Sequence, residues 1–162
     1  MLRLVAVVGG GTCSPAEAAL AREVGVRLAA AGVGVVCGGH GGVMAAACEG
    51  AQHAGGLTVG ILPGADRGQA NPWVTIAIPT GLGEARNTLV VRSALAVIAI
   101  GGEFGTLSEI ALALKLGLPV IGLDTWELAK HGQAVPAVRR VTTAAEAVAA
   151  ALGASDESSC VT

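Results

Sequence analysis

The chain has 162 residues, enough for one domain with a core covered on both sides and too few for a large multidomain enzyme. Ten basic residues against 12 acidic ones leave a formal net charge of -2, with no Lys/Arg cluster and only the rings of Trp73, Phe104 and Trp126, which argues against the basic, ring-studded face that holds nucleic acid. Mean hydropathy is high, +0.67, yet the longest charge-free stretch, Leu28–Cys48, contains six glycines and His40, and a backbone broken in that way would be left unsatisfied in lipid.

The start, Met1-Leu2-Arg3-Leu4, lacks the long apolar core and small-residue cleavage site of a signal peptide, so a cytoplasmic protein is expected, with no membrane partner. From there short β-branched apolar runs alternate with Ala/Leu-rich segments. The sequence predicts a strand over Arg3–Val8 and a helix over Pro15–Ala31. Ser14 is its N-cap, Pro15 its first residue and Glu17 the partner of a capping box. A strand over Val33–Cys37 follows, then a helix over Val43–Ala54 and a strand over Leu57–Ile61. Gly64–Pro72 has no periodicity and reads as a mobile polar loop. Beyond it come a strand over Val74–Ile78, a helix over Gly83–Ser93, a strand over Leu95–Ile100, a helix over Thr106–Leu116 and a strand over Pro119–Leu123. A short helix is expected over Thr125–Lys130, a weak seventh strand over Ala137–Val141 and a last helix over Thr143–Leu152.

The strand runs are continuously apolar, the pattern of strands covered on both faces. Alternation with helices implies right-handed crossovers and a parallel sheet. The expectation is a single doubly wound α/β domain over residues 1–152, with six or seven parallel strands in the order 3-2-1-4-5-6, followed by a small polar tail over 153–162. So apolar a composition also suggests a homodimer or higher homo-oligomer, with the Gly83–Ser93 and Thr106–Leu116 helices as the contact.

Three glycine clusters each stand between a strand and a helix. They are Gly9-Gly10-Gly11-Thr12, Gly38-Gly39-His40-Gly41-Gly42 and Gly101-Gly102-Glu103-Phe104-Gly105-Thr106. Ligands of open α/β sheets bind along the carboxyl edge of the strands. Helix N-termini there present free N–H groups and a partial positive charge to anions. Three such turns in one short domain point to a phosphate or nucleotide site. The first is not GxGxxG, no acidic residue closes the second strand, and GxxxxGK[ST] is absent, which disfavours an ordinary dinucleotide site and a P-loop. Arg86 and Glu109 should both fall near the same edge, where an Arg–Glu pair can hold a phosphate or ribose and assist bond cleavage. First-turn surface or capping roles are the alternative for both. Cys13, Cys37, Cys48 and Cys160 show no metal-ligand spacing, so no metal site is expected. Cys37 and Cys48 read as core residues, and Cys13, after a Gly-rich turn, is the one candidate reactive thiol. His40 is the histidine best placed to touch a ligand, whereas His53 and His131 read as surface residues. Trp73 reads as a packing or interface residue. Phe104 walls the ligand pocket or packs in the core.

The run Gly101-Gly102-Glu103-Phe104-Gly105-Thr106-Leu107-Ser108-Glu109 closely resembles the PGGxGTxxE signature of the Lonely Guy (LOG) family, long labelled "possible lysine decarboxylase". Gly38-Gly39-His40-Gly41-Gly42-Val43-Met44 resembles that family's earlier GGGxxGLM loop. The resemblance covers Arg3 to about Leu123 and implies a Rossmann-like fold and hydrolysis of nucleoside 5′-monophosphates to free base and ribose 5-phosphate. It places Arg86 and Glu109 at the family's catalytic arginine and glutamate. Gly102, Gly105 and Thr106 fall in its phosphate loop, with Gly10, Gly11, Gly38, Gly39, Gly41, Gly42, Met44 and Gly101 as further binding residues. Thr12, His40, Asn87, Glu103 and Phe104 are additional candidate contacts. Leu62-Pro63-Gly64 and Thr80-Gly81-Leu82-Gly83-Glu84-Ala85-Arg86-Asn87 are similar to a short branch that includes the molybdenum-cofactor carrier proteins. Ile100 stands in place of the signature proline, Asn87 in place of the usual lysine, and Glu103 puts a negative charge in the phosphate loop. These departures bear on hydrolysis more than on binding. Only Lys115 and Lys130 are present, neither placed for a pyridoxal-phosphate Schiff base, which excludes the decarboxylase reading.

Two functions stay open. The leading expectation is a phosphoribohydrolase needing no cofactor, which the retained Arg86 and Glu109 favour. The other is a carrier for molybdopterin or a related phosphorylated pterin or nucleotide.

Overall fold

A computed structural model describes residues 1–157. Seven strands form one parallel sheet: β1 (Leu4–Gly9), β2 (Gly34–Cys37), β3 (Thr58–Leu62), β4 (Ile76–Pro79), β5 (Val97–Ile100), β6 (Val120–Leu123) and, after a small hairpin of β7 (Ala129–Lys130) and β8 (Gln133–Ala134), β9 (Arg139–Val141). The helices are α1 (Pro15–Ala30), α2 (Gly42–His53), α3 (Asn87–Arg92), α4 (Phe104–Lys115) and α5 (Ala144–Glu157).

Side chains alternate across the pleat and build two cores. Val5, Val7, Val35, Ile98, Ile100 and Ile121 meet α1, α2 and α5 on one face. Ala6, Val8, Val36, Ile61, Val97 and Ala99 meet α3 and α4 on the other. Both faces are therefore covered, the condition under which a parallel sheet of continuous Val/Ile runs is stable.

Helices α1 and α2 approach to backbone contact. A Cβ added at Gly25 would lie 2.0 Å from the Ala47 carbonyl oxygen, and one at Gly50 would lie 2.0 Å from that of Arg22. No helix among the described residues is long and apolar enough to cross a membrane.

The sheet order is β4-β3-β2-β1-β5-β6-β9, which corrects the expected 3-2-1-4-5-6. The fourth strand extends the β3 edge instead of lying beside β1. Between β3 and β4 the chain makes only a 3₁₀ turn, Arg67–Gln69, with no helix to carry it back across the sheet. The return comes after β4, so the strand order reverses between β1 and β5.

Strand β4 also departs from the two-sided pattern. Its residues alternate between exposed and half-buried, because it is the outermost strand. The expected helix Gly83–Ser93 is split into a 3₁₀ turn over Gly83–Arg86 and the six-residue α3. The expected helix Thr125–Lys130 does not form. Asp124 takes a positive φ of 48°, the Thr125 hydroxyl donates to the Gly101 carbonyl, and the chain enters the hairpin, whose turn residues His131 and Gly132 have φ of 53° and 75°. Two left-handed residues in a two-residue loop make the turn that suits strand twist. Helix α5 runs to Glu157, into the segment read as a tail; residues 158–162, Cys160 among them, lie outside the described residues.

Candidate functional site

The three glycine runs leave the carboxyl ends of β1, β2 and β5, which are neighbours across the reversal point of the sheet, where a crevice opens in such folds. Their helices differ in one respect. At α1 the Ser14 hydroxyl accepts the Glu17 N–H at 3.1 Å and the Glu17 carboxylate accepts the Ser14 N–H at 2.7 Å, so this N-terminus is closed. Helices α2 and α4 begin at Gly41 and Glu103 with no side-chain cap. Neither end has a side-chain acceptor, although the Val43 N–H of α2 is taken by the Gly10 carbonyl, which leaves α4 the more open of the two to an anion.

The backbone shapes around these ends require glycine. Gly42 has φ of 60°, and its Val43 neighbour donates to the Gly10 carbonyl at 3.1 Å, tying the first two runs together. Gly102 has φ of 95°, and a Cβ there would meet the Thr106 hydroxyl at 2.3 Å.

Arg86 and Glu109 are not surface residues. They are 7% and 6% exposed, and their Nη1 and Oε1 atoms lie 3.8 Å apart. The guanidinium lies flat against Gly38, whose missing Cβ would sit 2.6 Å from Nη2. Thus the second glycine run, the 3₁₀ turn and α4 converge on one buried ion pair. Arg86 Nη1 donates to the Asn87 side-chain oxygen, the Asn87 amide donates to Ser108 Oγ at 2.9 Å, and Ser108 donates to the Gly105 carbonyl at 2.6 Å. Asn87 is 4% exposed with both ends of its amide engaged, one of them with Arg86. Arg86 Nε is buried without a partner. Burial pushes the Glu109 carboxyl up to about 7, against the lowering pull of Arg86 and with a further rise from Glu84. A carboxyl poised there exchanges a proton near neutral pH.

The glycine run after β2 has a brace that the sequence does not announce. Asn71 donates from its side chain to the carbonyls of His40, at 2.8 Å, and Gly39, at 3.3 Å, and from its backbone to Gly39 at 2.8 Å. Its side-chain oxygen accepts the Trp73 N–H at 3.0 Å. The loop expected to be mobile is therefore pinned to the site at one end. At the other, the Pro63 and Gly64 carbonyls accept from Gly83 and Gly81. Ser108 is the second missed residue. A lone Asn in a polar loop and a Ser on a helix carry no periodic signal, because their partners are distant in the chain.

His40 is half-buried on its run, and Met44 is part of the core beneath it. Thr12, Gly11 and Gly41 are exposed, as are Glu103 and Gly105. Phe104 is 76% exposed and leans on Trp126 at 5.5 Å between ring centroids, so it does not enter the core. Trp126 is held by its indole N–H, which donates to the Glu103 carbonyl. Glu103 lines a cleft of about 370 Å³ together with Gly101 and Gly102 of the same run and with Glu17, Asp124, Thr125 and Trp126. Among the described residues no group of three or more His, Cys, Asp or Glu side chains is arranged to hold a metal ion.

Cys37 and Cys48 are buried thiols with sulfurs 3.5 Å apart, directly behind the Gly38–Gly42 run. The contact with Cys37, then burial, pushes the Cys48 thiol far up. Burial also raises Cys13, with Glu17 adding to the rise, the opposite of what a reactive thiol needs. Trp73 packs on the core and against the His53 ring.

A family model described as the SLOG cluster4 family matches residues 2–152. An uncharacterised protein of Archaeoglobus fulgidus is 43% identical over 122 residues, 75% of this chain and 80% of that one. Among solved structures, the molybdenum cofactor binding protein of the phototrophic bacterium Rippkaea orientalis is similar at TM-score 0.80 and 36% identity, covering 90% of this chain and 92% of that one. The Moco carrier protein of Chlamydomonas reinhardtii is similar at TM-score 0.82 and 31% identity, covering 98% and 99%.

Proposed function

This chain belongs to the SLOG cluster4 family, and from that membership we propose that it is a carrier: it binds a small phosphorylated ligand of the molybdenum-cofactor class and does not turn it over. The observation that carries the reading is the buried Arg86. It is set between two helix N-termini that lack side-chain caps, is held by Asn87, lies against Gly38 and keeps one N–H without a protein partner. A buried cation with an unused donor beside helix N-termini that lack side-chain caps is a receptor for an oxyanion. The molybdenum cofactor carrier and binding proteins to which the chain is similar over nine-tenths of its length support the pterin as cargo. In the same reading α2 and α4 hold the phosphate, Asn71 holds the Gly38–Gly42 run in place, and the exposed Phe104 ring offers a flat face to a heterocycle.

The test is retention. The purified chain is mixed with molybdopterin and passed over a sizing column, and bound pterin is measured by fluorescence after oxidation. In parallel it is incubated with purine and pyrimidine nucleoside monophosphates and assayed for ribose 5-phosphate. The carrier reading expects near-stoichiometric pterin, loss of retention in Arg86→Gln, and no sugar phosphate. Pterin that elutes free of the protein overturns it.

One observation favours a second reading. Glu109, 3.8 Å from Arg86 and poised near neutrality, suits the cleavage of an N-glycosidic bond. The carboxylate would stabilise the oxocarbenium-like state or position water while Arg86 orients the phosphate–ribose end. Ribose 5-phosphate release that Glu109→Gln abolishes would establish that reading instead.

A further inference from the structure

A carrier has no evident need for a buried glutamate beside a buried cation, yet Glu109 is there. Its carboxylate makes no hydrogen bond to protein among the described residues; its ion-pair partner, Arg86 Nη1, is 3.8 Å away, beyond hydrogen-bonding range. An oxyanion that reaches the Arg86 guanidinium comes within a few ångströms of that carboxylate, which is itself largely buried. Two anions so close are not both tolerated unless one is neutralised. The charged and titratable groups that act there are few: Arg86 and Glu84 from the 3₁₀ turn, and Cys37 from the end of β2. Arg86 is the cation of the pair, and Glu84 is exposed and raises Glu109 further. Cys37 is buried against Cys48. Glu109 is the group left to yield.

Resting on the anion-site reading above, we propose that Glu109 meets the bound anion as a neutral carboxylic acid, donating its O–H to the ligand, so that each anion captured brings one proton in from solvent. Glu109 is then a ligand contact and the residue that makes the site discriminate by pH. It selects oxyanions that accept a hydrogen bond and releases them as the solution becomes alkaline. Its carboxyl, already raised to about 7 by burial, lies where small changes of pH change occupancy.

Sulfate is the probe, because it keeps its two charges across the whole range and cannot supply the proton itself. Binding is followed by calorimetry from pH 6 to 8.5 in buffers of different ionisation enthalpy. Wild type should lose affinity about tenfold per pH unit above the Glu109 midpoint, with uptake approaching one proton per sulfate at pH 8. Glu109→Gln should bind with an affinity independent of pH, tighter than wild type at pH 8, and take up no proton. The count is repeated in His40→Gln, which removes the imidazole on the Gly38–Gly42 run and should keep the uptake near one proton, so the test survives if Glu109→Gln fails to fold. Sulfate binding without proton uptake, or an unchanged pH slope in Glu109→Gln, overturns the proposal and leaves the anion site standing. Sulfate binding unaffected by Arg86→Gln overturns the anion site itself.

Discussion

Replacing Gly38 by alanine separates the site from the fold. The new Cβ would lie 2.6 Å from Arg86 Nη2, 2.9 Å from Cζ and 3.0 Å from Nη1. To regain ordinary contact at about 3.4 Å, the guanidinium must retreat by about 0.8 Å. The backbone has no objection, since Gly38 is not among the positive-φ positions, and alanine removes unfolded-state freedom worth roughly 0.4–1 kcal/mol. The displaced group is the end of a long side chain, so the fold should lose no more than about 1 kcal/mol. The ligand should notice much more. A hydrogen bond to a charged group contributes roughly 1.5–3 kcal/mol, and misplacing one such bond weakens anion binding roughly 10–100-fold. Urea unfolding and sulfate titration of Gly38→Ala against wild type read the two quantities separately. A variant with native stability and unchanged sulfate affinity would refute the reasoning, because the anion would then not depend on the position of Arg86.

Glu109 should also shape stability as a function of pH. Its folded value is raised to about 7 from 4.5, so between these values the unfolded chain is ionised while the native chain holds the proton. The native state binds more protons there, and stability falls as pH rises from 4.5 to 7, by on the order of 3 kcal/mol relative to Glu109→Gln; parallel urea midpoints for the two proteins across that range would contradict this. Gly25→Ala should destabilise in spite of alanine's better helix propensity, worth about 1 kcal/mol. Its Cβ would sit 2.0 Å from a backbone oxygen of α2, and overpacking costs about 1–3 kcal/mol or more; a rise in melting temperature would count against it. Asn71→Ala leaves the His40 and Gly39 carbonyls without that donor and should lower sulfate affinity more than Asn71→Ser, which keeps one donor, at similar melting temperatures.

The central strands β1, β2, β3, β5 and β6 were legible because they are apolar runs covered on two faces, and the helix starting at Ser14 because its capping box is written in three residues. The place of β4 was not. Sheet order depends on which edge a connection reaches, and the β3–β4 connection contains no helix whose length would reveal it. Residues Thr125–Lys130 have helical composition, but Asp124 and the Thr125–Gly101 bond settle their path from outside the segment. In the site, the glycine runs and the Arg86–Glu109 pair could be read from spacing, since strand ends and first turns fix where such residues fall. Burial of that pair, the role of Asn87 and the brace at Asn71 could not, because each depends on partners brought together by the fold.

The paired sulfurs behind the Gly38–Gly42 run give the molecule a built-in clock. Cys37 and Cys48 are fully enclosed, one at the end of β2 and the other on α2, so an alkylating reagent can mark them only in the moments when that strand and helix part. Their labelling rate, set against that of the half-buried Cys13, measures how often this corner of the molecule opens. Because the opening that admits the reagent also dissolves the wall of the site, a bound anion that steadies the run should slow the clock.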